Sequence, residues 1–245
     1  KASGSQTGTP AKEQTVSDTV YYTGLLPGRE YTLTATVMTV DDEGNPVSLL
    51  DEDGEIVTGT LTFTPEESEG SAVIELTLDS SLLAGRKAVC FEEIRLGGIP
   101  VAIHADIGDE DQTIWYPQIR TTATDQETGE HVAAVSENGT FVDVVSYTGL
   151  RPGGSYVARA ALMDAETGEP VKENGKDVTA EKAFTPAAEN GEIVVEIPVN
   201  TAGITGRTTV VFEELYAGNE ESGGNGTDSG EKTDHVGRET IPVAE

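Results

Sequence analysis

The chain has 245 residues, and its 44 acidic residues against 15 Lys and Arg give a formal net charge of −29. So acidic a chain is unsuited to nucleic acid, whose phosphates are bound by Lys and Arg that displace counterions, and to an anionic membrane surface. One cysteine and three histidines exclude an internal disulfide and argue against a zinc site. No apolar stretch approaches the roughly 18–20 residues of a membrane span, so no membrane insertion is expected.

The elements that follow in chain order are short strands. Apolar residues alternate with threonines over residues 31–37 and with polar residues over residues 74–78, which predicts strands with one face on a core. The preceding "LLPG" at residues 25–28 has Pro and Gly where a type II turn favours them. Helix-period patterns are scarce, and residues 79–85 are a candidate for a single turn. Cys90, in the apolar run "AVCFEE", is interpreted as a small core residue.

The second half of the chain repeats the first. "VYYTGLLPGREYTLTATVM" (residues 20–38) matches "VSYTGLRPGGSYVARAALM" (residues 145–163), and "GRKAVCFEEIRLG" (85–97) matches "GRTTVVFEELYAG" (206–218). A repeat of this size indicates two whole domains in tandem. We therefore predict an all-β protein of two antiparallel immunoglobulin-like β-sandwiches, residues 1–114 and 115–245.

The two copies differ at their first strand. The second copy opens with "QIRTTATD" at residues 118–125, and an offset of 125 places Lys1 opposite Gln126. The matching first strand of the first copy is therefore expected upstream of Lys1.

Three motifs in order carry a family resemblance. Val-x-Phe-Glu occurs at residues 89–92 and 210–213, "HADIGDEDQTI" ends the first copy, and "PQIRTTATD" opens the second. Together they resemble VaFE repeats, which are stalk modules of surface-anchored adhesins of Gram-positive bacteria and are similar to Ig-like domains with an internal Thr–Gln ester bond. The resemblance covers nearly the whole chain. It implies an extracellular, cell-wall-anchored location, with neighbouring repeats of the same stalk as partners.

The residues of the first copy suit such a bond. A threonine hydroxyl is a weak nucleophile that needs a base or an oriented site, and a primary amide loses ammonia when its carbonyl is polarised. Gln112 is the candidate electrophile, with its threonine on the upstream strand. Glu92, favoured over Glu93 by the signature, and Asp109 are the candidate carboxylate pair, in which close like charges raise one pKa. His104 orients the groups or takes a proton, and no cofactor or metal is needed.

The second copy keeps the hydroxyl and loses the amide. Strand alternation makes Thr121 the first choice of nucleophile and Thr122 the second. Glu239 stands where the glutamine would be. An ionised carboxylate has no ammonia to lose and repels a nucleophile, so this copy is expected to fold without forming the bond.

The other members of the site are also altered in the second copy. Glu213 remains as a relic or a hydrogen-bonding group. A fixed register places Glu231 and Val236 where the first copy has His104 and Asp109. Asp234 and His235 are near these positions but displaced.

Two alternative interpretations concern the same acidic stretch and the same strands. Residues 106–111 are also compatible with a solvated acidic turn or a calcium site, although their spacing is not that of an EF-hand. A Lys–Asn isopeptide bond would require a lysine on the first strand, and residues 118–125 contain none. The residue types therefore favour an ester.

The function expected from the sequence is a structural stalk module that reacts once with itself and is not a turnover enzyme. The alternative is an adhesin module that contacts a host protein or glycan, its ligand unknown, through loops such as residues 41–57 and 217–234. Only 5% of the residues are aromatic, which weakens a sugar-binding function. A hydrolase built on His104 and Asp109 lacks a Gly-x-Ser-x-Gly motif.

Overall fold

Residues 6–218 and 231–243 are described by a computed structural model, so residues 219–230 of the expected ligand-contacting loop lie outside the described part. The described residues form antiparallel ladders and two short 3₁₀ turns, which confirms the all-β prediction. None of them belongs to a helix long and apolar enough to cross a membrane.

The chain divides into Lys1–Tyr116, here called unit 1, and Pro117–Glu245, called unit 2. The boundary lies two residues beyond the predicted one. Trp115 and Tyr116 form the end of the last strand of unit 1, where they pair with Lys87 and Arg86 of the same unit, and they therefore belong to unit 1.

Unit 1 contains eight described strands and one 3₁₀ turn at Ser80–Leu83, within the stretch expected to hold a single turn. One sheet pairs β1 with β5, and the other has β2 and β6 at its centre, flanked by β3, β4, β7 and β8. The strands are β1 Gln14–Thr23, β2 Tyr31–Val40, β3 Pro46–Ser48, β4 Thr58–Phe63, β5 Glu69–Leu78, β6 Arg86–Leu96, β7 Ile99–His104 and β8 Thr113–Tyr116.

Alternation along these strands builds the core of unit 1. In β2 the odd-numbered residues from Tyr31 to Thr39 are buried, and in β5 the even-numbered residues from Ala72 to Leu78 are buried. The apolar members of these sets pack in one cluster with Tyr116 of β8. Burial of apolar side chains from both sheets is what holds the sandwich together.

Unit 2 repeats this arrangement with one additional strand. Its larger sheet has the order β14-β11-β16-β17, its smaller sheet has the order β15-β10-β9, and β12 and β13 form a hairpin. The strands are β9 Gln118–Asp125, β10 Gly139–Thr148, β11 Tyr156–Asp164, β12 Lys172–Glu173, β13 Lys176–Asp177, β14 Thr179–Phe184, β15 Gly191–Val199, β16 Thr208–Ala217 and β17 Glu231–Pro242, with a 3₁₀ turn at Thr201–Ile204.

Strand β9 has no counterpart among the described residues of unit 1. In unit 2, β9 pairs with β10 and also approaches β17, so the first and last strands are neighbours. Both units also have one isolated parallel bridge to the last strand, between Thr7 and Trp115 in unit 1 and between Ala133 and Val243 in unit 2. All six residues of β7 are exposed. A strand like β9 would lie between β1 and β7.

Candidate functional site

The pairing of β6 with β7 places His104 directly opposite Glu92. His104 Nδ1 lies 3.0 Å from Glu92 Oε2, and Nε2 of the same ring lies 3.1 Å from Asp109 Oδ2. Both contacts are donated by the ring when each nitrogen carries a proton. The structure therefore brings together three of the residues singled out from the sequence, with His104 as the link between the two carboxyl groups.

The acidic stretch forms a turn that holds Asp109 in place. Asp106 Oδ1 accepts from the Gly108 amide at 2.9 Å, and Asp109 Oδ1 accepts from the Asp111 amide at 2.9 Å. The Thr113 hydroxyl donates to the Asp109 carbonyl at 2.6 Å just before β8 begins. Both carboxylates accept hydrogen bonds from amides of the turn itself, as Asp side chains commonly do in turns. Asp109 also contacts His104, so the turn helps to position that side chain.

The direct carboxyl partner of Glu92 is Asp18, a residue that the sequence reasoning missed. Asp18 lies on β1, in the opposite sheet, and only 8% of it is exposed; Glu92 is 3% exposed. Asp109 reaches Glu92 through His104 rather than directly. The signal for Asp18 was in the repeat, because Asp143 occupies the same place 125 residues later and both stand on the core-facing side of their strands.

Burial and the neighbouring acid keep Glu92 protonated at neutral pH. Desolvation, followed by the hydrogen bond and charge of Asp18, raises the pKa of Glu92 to about 9. Asp18 Oδ2 and Glu92 Oε1 are both buried with no N–H or O–H donor from another group. A proton on one carboxyl that bonds to the other satisfies both oxygens, and it is available to polarise a carbonyl.

Cys90 lies beside this acid pair. One ligand atom from each of Asp18, Cys90 and Glu92 lies within 4.8 Å of the others, so these three side chains could hold a metal ion. Burial, with smaller contributions from the charges of Asp18 and Glu92, raises the pKa of the Cys90 thiol to about 12. The thiol is in the core, as expected, and it also faces the candidate site.

Gln112 ends the acidic turn immediately before β8 and is half-buried. The ladder of β6 and β8 ends at Val89 and Thr113, and the Thr113 amide donates to the Glu110 carbonyl at 3.2 Å, so Gln112 lies in the turn that leads into β8. Its neighbours at alternate positions, Ile114 and Tyr116, pack on the core of unit 1. The candidate amide thus belongs to the same turn as Asp109, which contacts His104.

Unit 2 keeps the acid pair without the histidine. Glu213 is fully buried, and its burial together with the charge and hydrogen bond of Asp143 raises its pKa to about 9. The residue opposite Glu213 on β17 is Gly237, whereas His104 occupies this place in unit 1. The fixed register, which made Glu231 the unit 2 equivalent of His104, is therefore wrong.

The failed register has a structural cause. Unit 1 inserts the acidic turn between His104 and Thr113, and β17 runs without such a turn from Gly237 to Thr240. Val236 pairs with Glu214, and Glu231 lies at the far end of the strand opposite Ala217. The side chains of Asp234, His235 and Glu239 lie outside the described residues.

Thr121 is on the inward face of β9. Thr121 is 8% exposed, whereas the side chain of Thr122 is exposed to solvent. Ala123, two residues after Thr121 on the same face of β9, pairs with Asp143 of the acid pair. Among the described residues, the buried Thr121 hydroxyl has no hydrogen-bond partner. Glu239, the sequence equivalent of Gln112, pairs with Val211, the sequence equivalent of Cys90.

Both units are antiparallel β-sandwiches that bury a pair of acids contributed by their two sheets. The chain belongs to the family described as the T-Q ester bond containing domain, whose model matches residues 1–116 and again residues 117–241.

Solved structures of low identity resemble the chain. A bacterial adhesin from Mobiluncus mulieris containing intramolecular disulfide, isopeptide and ester bond cross-links is 14% identical over 98% of this chain and 95% of its own, with a TM-score of 0.35. A β-glucuronidase from Bacteroides uniformis is 13% identical over 93% of this chain and 26% of its own, also with a TM-score of 0.35. No curated protein is significantly similar to the chain.

Proposed function

We propose that the chain is a stalk segment of a Gram-positive, cell-wall-anchored adhesin, and that unit 1 forms an ester between Gln112 and a threonine of a strand added beside β1 and β7. The observation that carries the proposal is the buried, protonated Asp18–Glu92 pair, which His104 and Asp109 connect to the turn that contains the half-buried Gln112. The partners of the chain would be the neighbouring repeats of the stalk. Each site would react once, with a residue of its own chain.

The chemistry follows from these positions. The proton of the acid pair polarises the Gln112 carbonyl, the threonine oxygen attacks the amide carbon, and the C–N bond breaks to release ammonia, which takes the hydroxyl proton. Contact on adjacent strands supplies effective molarity worth up to about 7–11 kcal/mol of the barrier. His104 holds the Oε2 side of Glu92 and is itself held by Asp109.

The benefit of the bond would be mechanical. Tying the first strand to the last means that neither can be pulled away without breaking a covalent bond. By analogy with a disulfide that closes a loop of about 100 residues, the tie would also remove about 4–5 kcal/mol of unfolded-state entropy.

Unit 2 would keep the fold without the bond. Thr121 and the Asp143–Glu213 pair are present, but Glu239 replaces the amide and Gly237 supplies no side chain opposite Glu213. Unit 2 therefore offers the matched comparison for unit 1 within one molecule.

The test is to add the strand that unit 2 has. An extension with the sequence of residues 118–125 placed directly before Lys1 has the spacing that the repeat requires. We expect a mass short of the encoded mass by one ammonia and a proteolytic peptide that joins the added strand to Gln112. Valine in place of the added threonine equivalent to Thr121 should abolish the joined peptide, and valine at the equivalent of Thr122 should leave it. If the added strand is protected from protease and no joined peptide forms, the proposal is wrong.

A further inference from the structure

We propose that Asp18, Cys90 and Glu92 form a binding site in unit 1 for a thiophilic divalent cation of the zinc class. One ligand atom from each side chain lies within 4.8 Å of the other two. Cys90 and Glu92 occupy alternate core-facing positions of β6, and Asp18 comes from β1 in the opposite sheet. The few Cys and His residues of the chain argued against a zinc site, but carboxylates from two sheets supply the other ligands.

The separations between the ligand atoms suit a small cation. Zinc lies about 2.3 Å from a thiolate sulfur and about 2.0–2.2 Å from a carboxylate oxygen, which puts two tetrahedral ligand atoms about 3.5 Å apart. The three ligand atoms are therefore, at most, little more than about 1 Å too far apart, a distance that small side-chain rotations close. A thiolate among the ligands favours zinc-like cations over calcium and magnesium, which prefer oxygen ligands.

Each of the two acids has a buried oxygen that is free to ligate a cation. Asp18 is 8% exposed and Glu92 is 3% exposed, and among the described residues Asp18 Oδ2 and Glu92 Oε1 have no hydrogen-bond donor from another group. Such oxygens are costly to bury unless they share a proton or bind a cation. The other oxygen of Glu92, Oε2, contacts His104, which in turn contacts Asp109. Contacts of this outer kind orient a ligating carboxylate.

Binding exchanges two protons for one divalent cation. The cation replaces the proton that the two carboxyls share and the proton of the Cys90 thiol, and both protons go to solvent. The summed charge of the three side chains and whatever they hold is therefore the same before and after binding, so burial of the site does not oppose the exchange. A loaded site has no acid proton with which to polarise the Gln112 carbonyl, so the cation would keep unit 1 unreacted. This last consequence, unlike the binding itself, rests on the proposed ester.

Unit 2 provides the internal comparison for this site. Its acid pair is Asp143 and Glu213, and Val211 is the sequence equivalent of Cys90. Val211 is buried two residues before Glu213 on the same side of β16, as Cys90 is before Glu92 on β6. Unit 2 thus keeps two of the three ligand positions but lacks the sulfur that selects zinc-like cations, and we expect it not to bind the same cation.

The test is a titration of residues 1–245 with Co²⁺, a spectroscopic substitute for zinc, in excess Mg²⁺ to occupy exposed carboxylates. We expect one equivalent to bind with a thiolate-to-cobalt charge-transfer band in the near ultraviolet, and one equivalent of Zn²⁺ to remove that band. Cys90→Val, which introduces the residue of unit 2, should abolish the band. His104→Ala should weaken binding about 10–100-fold through its contact with Glu92, and Glu92→Gln should weaken it more. Glu93→Gln, which changes the neighbour on the other face of β6, is the control and should leave the affinity unchanged. Circular dichroism checks that each variant folds.

Three outcomes overturn the proposal. A folded chain that shows no charge-transfer band has no thiolate site. Equal Co²⁺ affinity in Cys90→Val and the unmodified chain assigns the cation to exposed carboxylates, and equal affinity in Glu92→Gln removes the acid pair from the site.

Failure of the ester is measured separately, as the mass of the chain with the added first strand, here called the strand-extended chain, in the absence of metal. One equivalent of Zn²⁺ during refolding should lower the fraction of that chain that is short by one ammonia, and a chelator should restore it. A loaded chain that links as fast as the metal-free chain would overturn the inhibitory role of the cation.

Discussion

Unit 1 and unit 2 bury the same pair of acids but surround it differently. In unit 1 the pair has a histidine and a thiol beside it, and the candidate amide lies in the acidic turn that also holds Asp109. A counterpart of its threonine strand is absent from the described residues. In unit 2 the strand with Thr121 is in place, while glycine and glutamate stand where the histidine and amide would be. An acid pair retained in both units is therefore part of the shared fold, and the chemistry depends on what is added around it.

The largest effect on cross-linking should come from giving unit 1 the residue of unit 2 at position 112, which exchanges the amide nitrogen for an oxygen. In the strand-extended chain, Gln112→Glu replaces the amide by a carboxylate that has no ammonia to lose, so the linked fraction should fall from near complete to none. The linked form should also unfold at higher temperature by the loop-closure effect, about 4–5 kcal/mol by analogy with a disulfide. Intact mass and thermal unfolding measure the two. Gln112→Glu with a retained linked peptide would show that another residue is the electrophile.

The converse change should restore part of the reaction to unit 2. Glu239→Gln supplies the amide beside Thr121 and the Asp143–Glu213 pair, and we expect slow, incomplete loss of one ammonia. Gly237→His together with Glu239→Gln adds the side chain opposite Glu213 and should react faster, on the order of 10²-fold, as positioned acid–base groups do. A time course of intact mass, with a peptide joining residues 121 and 239, measures both rates.

Thr121→Val in the double variant is the control and should abolish the linked peptide. Equal rates for the single and double variants would remove His104 from the proposed chemistry of unit 1. The absence of any linkage in the double variant would show that the acid pair, threonine and amide are insufficient.

A smaller effect concerns the stability of unit 2. Burial and Asp143 raise the pKa of Glu213 from its ordinary value of 4.5 to about 9, so the folded state binds more protons than the unfolded state between these values. The stabilisation from the protonated group is complete below pH 4.5 and is lost as pH rises towards 9. The slope is at most about 1.4 kcal/mol per pH unit for this group.

Glu213→Gln removes that titration and should flatten the pH dependence of unit 2. Hydrogen exchange of peptides from β10 and β16 at several pH values would report the unfolding free energy of this unit alone. Glu196→Gln, on the exposed face of β15, is the control and should leave the slope unchanged. A slope that persists in Glu213→Gln would mean that Asp143 or another group carries it.

The fold was predictable because both halves of the chain contain the same local patterns of alternating polar and apolar residues and the same turn motifs. Alternation in segments such as residues 31–37 and a repeat of whole blocks were enough for the two antiparallel sandwiches. Within the site, His104, Asp109 and Glu92 could be selected because they lie in two short motifs, and the structure brings them into contact.

What the sequence did not reveal depends on pairing across the fold. Asp18 is far from both motifs along the chain and becomes the partner of Glu92 only when the two sheets pack. The acidic turn changes the register between His104 and Thr113, so counting along the chain misplaced the unit 2 equivalents.

The smallest expected effect is on the free energy of unfolding of unit 2, and it distinguishes a threonine hydroxyl that stabilises the fold from one that serves a reaction. Thr209 and Thr121 are both buried in unit 2, but Thr209 donates to the Ile241 carbonyl at 2.7 Å while the Thr121 hydroxyl has no partner. Thr209→Val leaves a buried carbonyl with one bond fewer and should cost about 1–2 kcal/mol, whereas Thr121→Val should be within about 0.5 kcal/mol of neutral. Chemical denaturation of the two variants measures the difference. Equal losses would mean that the Thr121 hydroxyl has a structural role, and its place beside the acid pair would no longer need chemistry to explain it.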